Sequence, residues 1–248
     1  MRARLIYEKR GGACFVPHVA LVDLFSRAIR RAGLRPCSTE GFSPHAKMSF
    51  GPELPAGVVA LWEPVDIWLK EAPGSGKNLA EESARLVFLL NEQMPQGFRV
   101  KKCVFPAEGT PALGKECKAA QYRVWPRNSR TMEKTGKMEK AGKTEALEEL
   151  AARARSYFGE DVHLIETGAD EGFPSWISLV LANPAKNGIG GWVKVLIAEG
   201  LAAGWQDFCL ARTALGRWNG VRVEPLTEEG AECLQIACLQ IECRQTEK

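Results

Sequence analysis

The apolar positions of residues 1–105 follow two periods that predict two kinds of element. Apolar side chains at alternate positions are typical of half-buried strands, which we predict over residues 2–9, 47–50, 62–70 and 98–105. Apolar side chains three and four positions apart indicate amphipathic helices, which we predict over residues 18–32 and 79–90. Gly33 follows the first helix and is suited to end it. The predicted order is β-α-β-β-α-β.

The second half of the chain repeats this order less clearly. We predict strands over residues 121–125, 162–166, 176–181, 208–214 and 221–224, and helices over residues 145–158 and 191–201. Two β-α-β-β-α-β units imply an α+β fold of two tandem ferredoxin-like domains. Each would have an antiparallel sheet with two helices on one face.

The domain bounds follow from composition. Residues 106–118 are rich in Gly and Pro and predict a linker, so the first domain spans 1–106 and the second spans 119–226. Residues 128–144 are rich in Lys, Thr, Gly and Met without an apolar period, which predicts a basic insertion in the second domain. A Cys-containing tail, 227–248, completes the chain.

Charge along the chain is uneven, although the formal net charge is only +3. Residues 1–50 hold nine Lys and Arg against three Asp and Glu, and residues 99–155 hold fourteen against seven. A basic face suited to an anionic partner is therefore compatible with a nearly neutral chain.

No apolar run approaches the roughly 20 residues needed to cross a bilayer, and the N-terminus lacks the pattern of a signal peptide. We expect a cytoplasmic protein.

The eight cysteines are expected to be reduced in the cytoplasm. Cys233, Cys238 and Cys243 repeat at a spacing of five in the tail. Residues five apart diverge on a helix and lie on opposite faces of a strand, so this spacing does not bring three thiolates together. We expect neither a metal site nor another cofactor.

Residues 42–57 carry the most unusual composition, with Pro, Gly, His and Lys around a short apolar core. Gly permits positive φ and Pro fixes φ, so a loop with both is strongly constrained. His45 and Lys47 are its ionisable side chains before Glu53. Such a pair can grip a phosphate, or can cleave RNA without a metal if a second general acid is near.

The helix before this loop adds further cations. His18 lies at its beginning, and Arg27, Arg30 and Arg31 lie on its polar side. Arg suits bidentate contact with phosphate, although a solubilising helix face has the same composition. Phe42 and Phe50 flank the loop and can stack on bases, although a core position is the more frequent role of Phe.

Two segments carry a resemblance to a known family. Residues 15–34, FVPHVALVDLFSRAIRRAGL, and residues 40–50, EGFSPHAKMSF, resemble the bacterial radical-SAM-linked family of unknown function. Its members are fused to, or encoded beside, cobalamin-binding radical SAM proteins. Departures from the family pattern stand at Pro17, Ala20, Ser26, Ser43 and Ala46. The resemblance implies a radical SAM partner and a role near RNA, with no established activity.

These observations favour a non-catalytic accessory protein of a radical SAM enzyme that binds or presents an rRNA or tRNA substrate. The candidate phosphate- or RNA-binding residues are His18, Arg27, Arg30, Arg31, Gly41, Phe42, Ser43, His45, Lys47 and Ser49. One alternative is a metal-independent RNA endonuclease that uses His18, His45 and Lys47. The other is a protein-interaction adaptor that docks through an exposed sheet face and binds no RNA.

Overall fold

Residues 1–71, 78–127, 143–169 and 175–227 are described by a computed structural model of this chain. The chain divides into two units, Met1–Cys117 and Lys118–Lys248. The described residues form a mixed α and β structure, and the strand pairings within each unit are antiparallel. The predicted mixture of helices and antiparallel sheets is confirmed.

The first unit has four strands and three α-helices among its described residues. In chain order they are β1 (Arg2–Lys9), α1 (Leu21–Arg31), β2 (Met48–Phe50), β3 (Val59–Trp68), α2 (Leu79–Asn91), β4 (Phe98–Val104) and α3 (Leu113–Glu116). The strands lie in the order β4-β1-β3-β2. Every predicted strand and helix is present here. The first helix, however, begins at Leu21, because His18–Ala20 forms a separate 3-10 turn.

The second unit has five strands and two α-helices among its described residues. They are β5 (Ala119–Pro126), α4 (Lys143–Phe158), β6 (Val162–Gly168), β7 (Trp176–Ala182), α5 (Ile189–Ala198), β8 (Phe208–Trp218) and β9 (Val223–Pro225). Their order is β8-β5-β7-β6, with β9 paired to β8. The predicted elements are again present, with ends that differ by a few residues.

The core of the first unit lies between its sheet and its two long helices. Alternate residues of β1 and β3, including Leu5 and Ile67, are fully buried on the helix side. They pack against Phe25 of α1 and Leu86 of α2, which are also fully buried. Because side chains alternate along a strand, the intervening residues of β1 and β3 project to the other face of the sheet.

The end of α1 is fixed by a backbone motif. Gly33 has φ +74°, its N–H donates to Arg30 O at 3.1 Å, and Leu34 N–H donates to Ile29 O at 3.1 Å. Gly adopts this left-handed conformation without a Cβ penalty, so the predicted helix end is confirmed. Arg30 and Arg31 consequently occupy the last turn of α1, where cations interact favourably with the helix dipole.

The segment predicted as a linker packs against the first unit. Leu113 is fully buried, and Arg4 Nη1 donates to Glu116 Oε2 at 2.6 Å. Arg2 Nη1 donates to Thr110 O at 2.6 Å. Arg2 and Arg4 alternate with the core residues of β1, so residues 110–116 lie over the sheet face away from α1 and α2. The domain bounds stay a prediction, and residues 128–142 and 228–248, from the predicted insertion and tail, lie outside the described residues.

Two sequence expectations concern the environment of the chain. Cys14, Cys37, Cys103 and Cys117 carry reduced thiols, whereas Cys209 is disulfide-bonded, so the expectation of reduced thiols is wrong at Cys209. Within the described ranges, no helix combines the length and the apolar character that a membrane crossing requires.

Candidate functional site

The loop between Thr39 and His45 is closed by its own hydrogen bonds. Thr39 N–H donates to His45 O at 2.8 Å, and His45 N–H donates to Thr39 Oγ1 at 3.2 Å. The His45 ring is held from the side, with Nδ1 3.2 Å from Thr39 Oγ1 and 3.3 Å from Ser43 O. Gly41 has φ +129°, which explains a glycine at this turn. We call residues 39–45 the hairpin loop.

The hairpin loop leads into Lys47, which lies beside Trp68 of β3. Trp68 N–H donates to Lys47 O at 3.2 Å, and Lys47 N–H donates to Cys37 O at 2.7 Å. Lys47 Nζ lies 5.3 Å from the centre of the Trp68 ring. Arg2, the register partner of Trp68 on β1, places its Cζ 5.6 Å from the same ring. Two cations from different segments of the chain, β1 and the residue before β2, therefore lie beside one indole in cation–π geometry.

More cations lie at this end of the sheet. Lys70 N–H donates to Arg35 O at 2.8 Å, which joins the segment after α1 to the end of β3. Arg35, Lys47 and Lys70 are exposed. One nearby carboxylate, Glu71, lies 3.4 Å from Arg35 Nη1. We call Arg35, Lys47, Trp68 and Lys70 the cationic edge.

Phe42 is wholly exposed at the tip of the hairpin loop, with a relative exposure of 110%. Phe42 therefore does not occupy the core position that is the more frequent role of Phe. Gly41 and Ser43, on either side of it, are also exposed. Phe50, in contrast, packs on the core with its ring centre 5.5 Å from that of Phe25. The loop therefore presents the Phe42 ring to solvent, whereas the Phe50 ring in β2 is half-buried against the core.

His18 and His45 are not brought together. The His18 ring is half-buried and lies edge-on to Phe50, with 5.7 Å between ring centres. Phe50 follows His45 by five residues of nearly extended chain, which at about 3.3 Å per residue places the Cα atoms of His45 and Phe50 on the order of 15 Å apart. Lys47 also lies away from His18, because its side chain contacts Trp68 on the opposite face of the sheet.

The arginines of α1 divide between two surroundings. Arg27 and Arg31 line an open groove of about 610 Å³. Its other lining residues are Val16, Ala20, Asp23, Leu24, Glu92, Gln93, Met94 and Pro95. The groove therefore holds two carboxylates for its two guanidinium groups and has no net charge. Arg30 is exposed in the last turn of α1, five residues before Arg35.

The sequence therefore identified part of this surface. It singled out Gly41, Phe42, Ser43, His45 and Lys47, which the hairpin loop and its base bring together. Ser49, half-buried in β2, lies opposite Asp66 in the ladder. The sequence missed Arg2, Arg35, Trp68 and Lys70. A signal for Trp68 was present, because Trp68 alternates with the buried Ile67 and Leu69 and so projects to the other face of the sheet.

Metal ligands are not clustered in the described part of the chain: no group of three or more His, Cys, Asp or Glu side chains there is placed to hold a metal ion. The binding role of the residues selected from the sequence stays a prediction. These residues nevertheless fall into two groups. Some lie in the hairpin loop or at the cationic edge, and the others, His18 and the arginines of α1, lie outside both.

Comparison with known proteins gives a family match and a distant structural likeness. A family described as "Uncharacterized protein conserved in bacteria" (DUF2344) matches residues 2–160, more than half of the chain. No curated protein matches. A solved structure of an unknown protein from Galdieria sulphuraria is similar at 12% identity, covering 87% of this chain and 96% of that chain with a TM-score of 0.24.

Proposed function

This chain belongs to the bacterial family of uncharacterized proteins DUF2344, and we propose that it is a cytoplasmic accessory protein of a radical SAM enzyme that binds or presents an RNA substrate. We further propose that its units are two tandem ferredoxin-like domains. The strand orders β4-β1-β3-β2 and β8-β5-β7-β6 support this, since each pairs the strands of a β-α-β-β-α-β unit in the same relative order.

The cationic edge carries the RNA part of the proposal. Proteins that hold single-stranded nucleic acid combine cations that follow the phosphates with aromatic rings that stack on bases. Lys47 lies 5.3 Å from the half-exposed Trp68 ring, and exposed Arg35 and Lys70 are joined through their backbones beside it. This surface has both components within a few residues of each other. The groove of α1 has no net charge and therefore attracts the phosphates of RNA much less.

The radical SAM part of the proposal has a different support. It comes from the resemblance of residues 15–34 and 40–50 to the radical-SAM-linked pattern. Several residues of that pattern, including Phe42, His45 and Lys47, lie in or beside the hairpin loop. A motif that is partly exposed suits recognition more than core packing, because exposed side chains contribute little to folding stability.

The structure gives the alternatives less support. An endonuclease needs a second acid near His45, whereas the His18 ring lies against Phe50, five nearly extended residues further along the chain. An adaptor needs an open sheet face for docking, and in the first unit the face away from the helices is covered. There, Arg2 and Arg4 hold residues 110–116 over that face.

The RNA proposal is tested by affinity at several salt concentrations. A fluorescein-labelled RNA of mixed sequence is titrated with the full chain and with the double variant Arg35→Ala/Lys70→Ala. We expect the variant to bind more weakly and to reduce the slope of log K against log salt by about one to two, as phosphate contacts are lost. A wild-type chain that binds no RNA at low salt would contradict the proposal.

The accessory role needs a separate test. The chain is mixed with the purified cobalamin-binding radical SAM protein from the same bacterium, treated with nuclease, and passed over a sizing column. We expect the two proteins to elute together. Separate elution with and without RNA would remove the accessory role while leaving RNA binding intact.

A further inference from the structure

We propose that Phe42 is a stacking platform for one unpaired nucleobase, so that the RNA bound by this chain is single-stranded at this site. The inference rests on the proposed RNA binding and specifies the class of RNA. Its starting observation is the relative exposure of the Phe42 side chain, 110%, on a loop whose ends are tied by hydrogen bonds.

The loop fixes the position of the Phe42 ring before a ligand binds. Hydrogen bonds between Thr39 and His45 close the loop below Phe42, and the positive φ of Gly41 sets the turn before it. An ordered loop loses less conformational freedom on binding than a flexible one. Burying a Phe ring away from water is energetically favourable. Because the closed loop keeps the Phe42 ring in solvent, its apolar surface is available for contact with a partner.

The surroundings of the ring favour a nucleotide over an apolar protein pocket. The same loop carries the exposed His45 and continues into Lys47, whose Nζ lies against Trp68. A nucleotide joins a flat aromatic base to anionic phosphates, which matches the Phe42 ring and the Lys47 ammonium on one short segment. The loop has one carboxylate, Glu40.

Single strands are favoured over duplexes by access to the base. Bases within an RNA helix are stacked on their neighbours and present no free face, whereas unpaired bases can stack on an aromatic side chain. An electrostatic surface without a stacking residue would instead bind a duplex at least as tightly, because the duplex has the higher phosphate density. Strand preference therefore separates stacking on Phe42 from charge attraction alone.

The experiment compares a short single-stranded RNA of mixed sequence with its blunt duplex. Each is titrated with the wild-type chain, Phe42→Leu, Phe42→Tyr and the control Phe88→Leu, which changes another exposed Phe, on α2. Leu keeps the apolar character and loses the π face, while Tyr keeps both. Circular dichroism of each variant checks that the fold is unchanged.

We expect the wild-type chain to prefer the single strand. Phe42→Leu should weaken single-strand binding by at least about 5-fold, the lower end of the range for alanine replacement of an aromatic ring that stacks on one base. Binding of the duplex should not change, and Phe42→Tyr and Phe88→Leu should bind both RNAs as the wild type does. The fluorescence of a 2-aminopurine base in the single strand should change when the wild type binds and should change less when Phe42→Leu binds.

Other results would overturn the inference. If Phe42→Leu binds the single strand as tightly as the wild type, or if the wild type prefers the duplex, stacking on Phe42 is wrong and RNA binding by the cationic edge still stands. If Phe42→Leu binds RNA normally but no longer elutes with the radical SAM protein, the ring docks a protein. If the wild type binds neither RNA, this inference and the proposed RNA binding both fail.

Discussion

Lys47 places its ammonium nitrogen 5.3 Å from the centre of the Trp68 ring. The contact joins the residue before β2 to the last residue of β3, and the guanidinium of Arg2 on β1 lies 5.6 Å from the same ring. Three segments that are distant in sequence thus contribute to one aromatic and cationic surface. The contact also sets the direction of Lys47, which points away from the helix side of the sheet where His18 lies against Phe50.

Asp66 is the centre of a buried charge cluster that holds residues 110–116. It is fully buried and accepts from Arg4 Nε at 2.8 Å and from Arg2 Nε at 3.0 Å. Burial by itself lowers the pKa of Arg4, but Asp66 and then Glu116 outweigh that effect and leave the pKa raised. Replacing Asp66 by Asn would leave a buried guanidinium without its main counter-charge. We expect Asp66→Asn to lower the free energy of unfolding by about 3 to 5 kcal/mol, measured by urea denaturation.

A surface ion pair provides the control for Asp66. Glu149 lies 3.7 Å from Arg153 on α4, and both side chains are more than 40% exposed. Glu149→Gln should change the unfolding free energy by less than about 1 kcal/mol, because water and salt screen exposed pairs. Equal effects of Asp66→Asn and Glu149→Gln would show that the buried cluster does not stabilise the first unit.

Gly97 lies where a side chain has no room. Its φ is +86°, and a Cβ there would lie 2.5 Å from Arg10 O and 2.7 Å from Ala13 Cβ. We expect Gly97→Ala to lower the free energy of unfolding by about 2 kcal/mol or more, through backbone strain and displacement of the turn after β1. The matched change Gly114→Ala, where a Cβ meets nothing within 4 Å, should be neutral or slightly stabilising. A Gly97→Ala protein as stable as Gly114→Ala would disprove this account of the turn.

Cys103 should make stability fall in alkaline solution. Burial raises the pKa of its thiol from 9.0 to about 12, against a smaller opposite effect of the Ser83 hydrogen bond. A folded-state pKa above the unfolded value stabilises the fold fully below pH 9, and this stabilisation is lost as pH rises from 9 towards 12. The wild type should therefore lose about 1.4 kcal/mol relative to Cys103→Ala between about pH 8 and pH 10. Parallel pH profiles of the two proteins would contradict the raised pKa.

The element order was readable from the sequence because local patterns and tertiary packing agree. The alternation of Ala3, Leu5 and Tyr7 is the core face of β1, and Leu21, Phe25 and Ile29 form the buried stripe of α1. Each pattern reflects burial against one layer, which is what periodicity records. The start of α1 was displaced because His18–Ala20 turns as a 3-10 helix, and apolar spacing does not separate the two helix types over one turn.

The candidate site was only partly readable because it depends on strand register. Composition identified the hairpin loop, since Gly41 and Pro44 constrain its backbone. The contact of Arg2 and Lys47 with Trp68 depends on which residues of β1, of β3 and of the segment that enters β2 lie opposite each other, and the sequence has no local signal for that register. The direction of the Phe42 side chain could not be predicted either, because the same composition is compatible with a loop that packs on the core and with a loop that projects into solvent.

The most direct test of RNA binding by the cationic edge is the affinity of Lys47→Ala for a labelled RNA over a series of salt concentrations. We predict weaker binding than the wild type at every concentration and a salt slope smaller by about one, as expected when one phosphate contact is lost. Lys47→Arg should restore both values, and Lys194→Ala, an exposed lysine of α5, should change neither. Affinity and salt slope of Lys47→Ala equal to those of the wild type would contradict RNA binding by this edge.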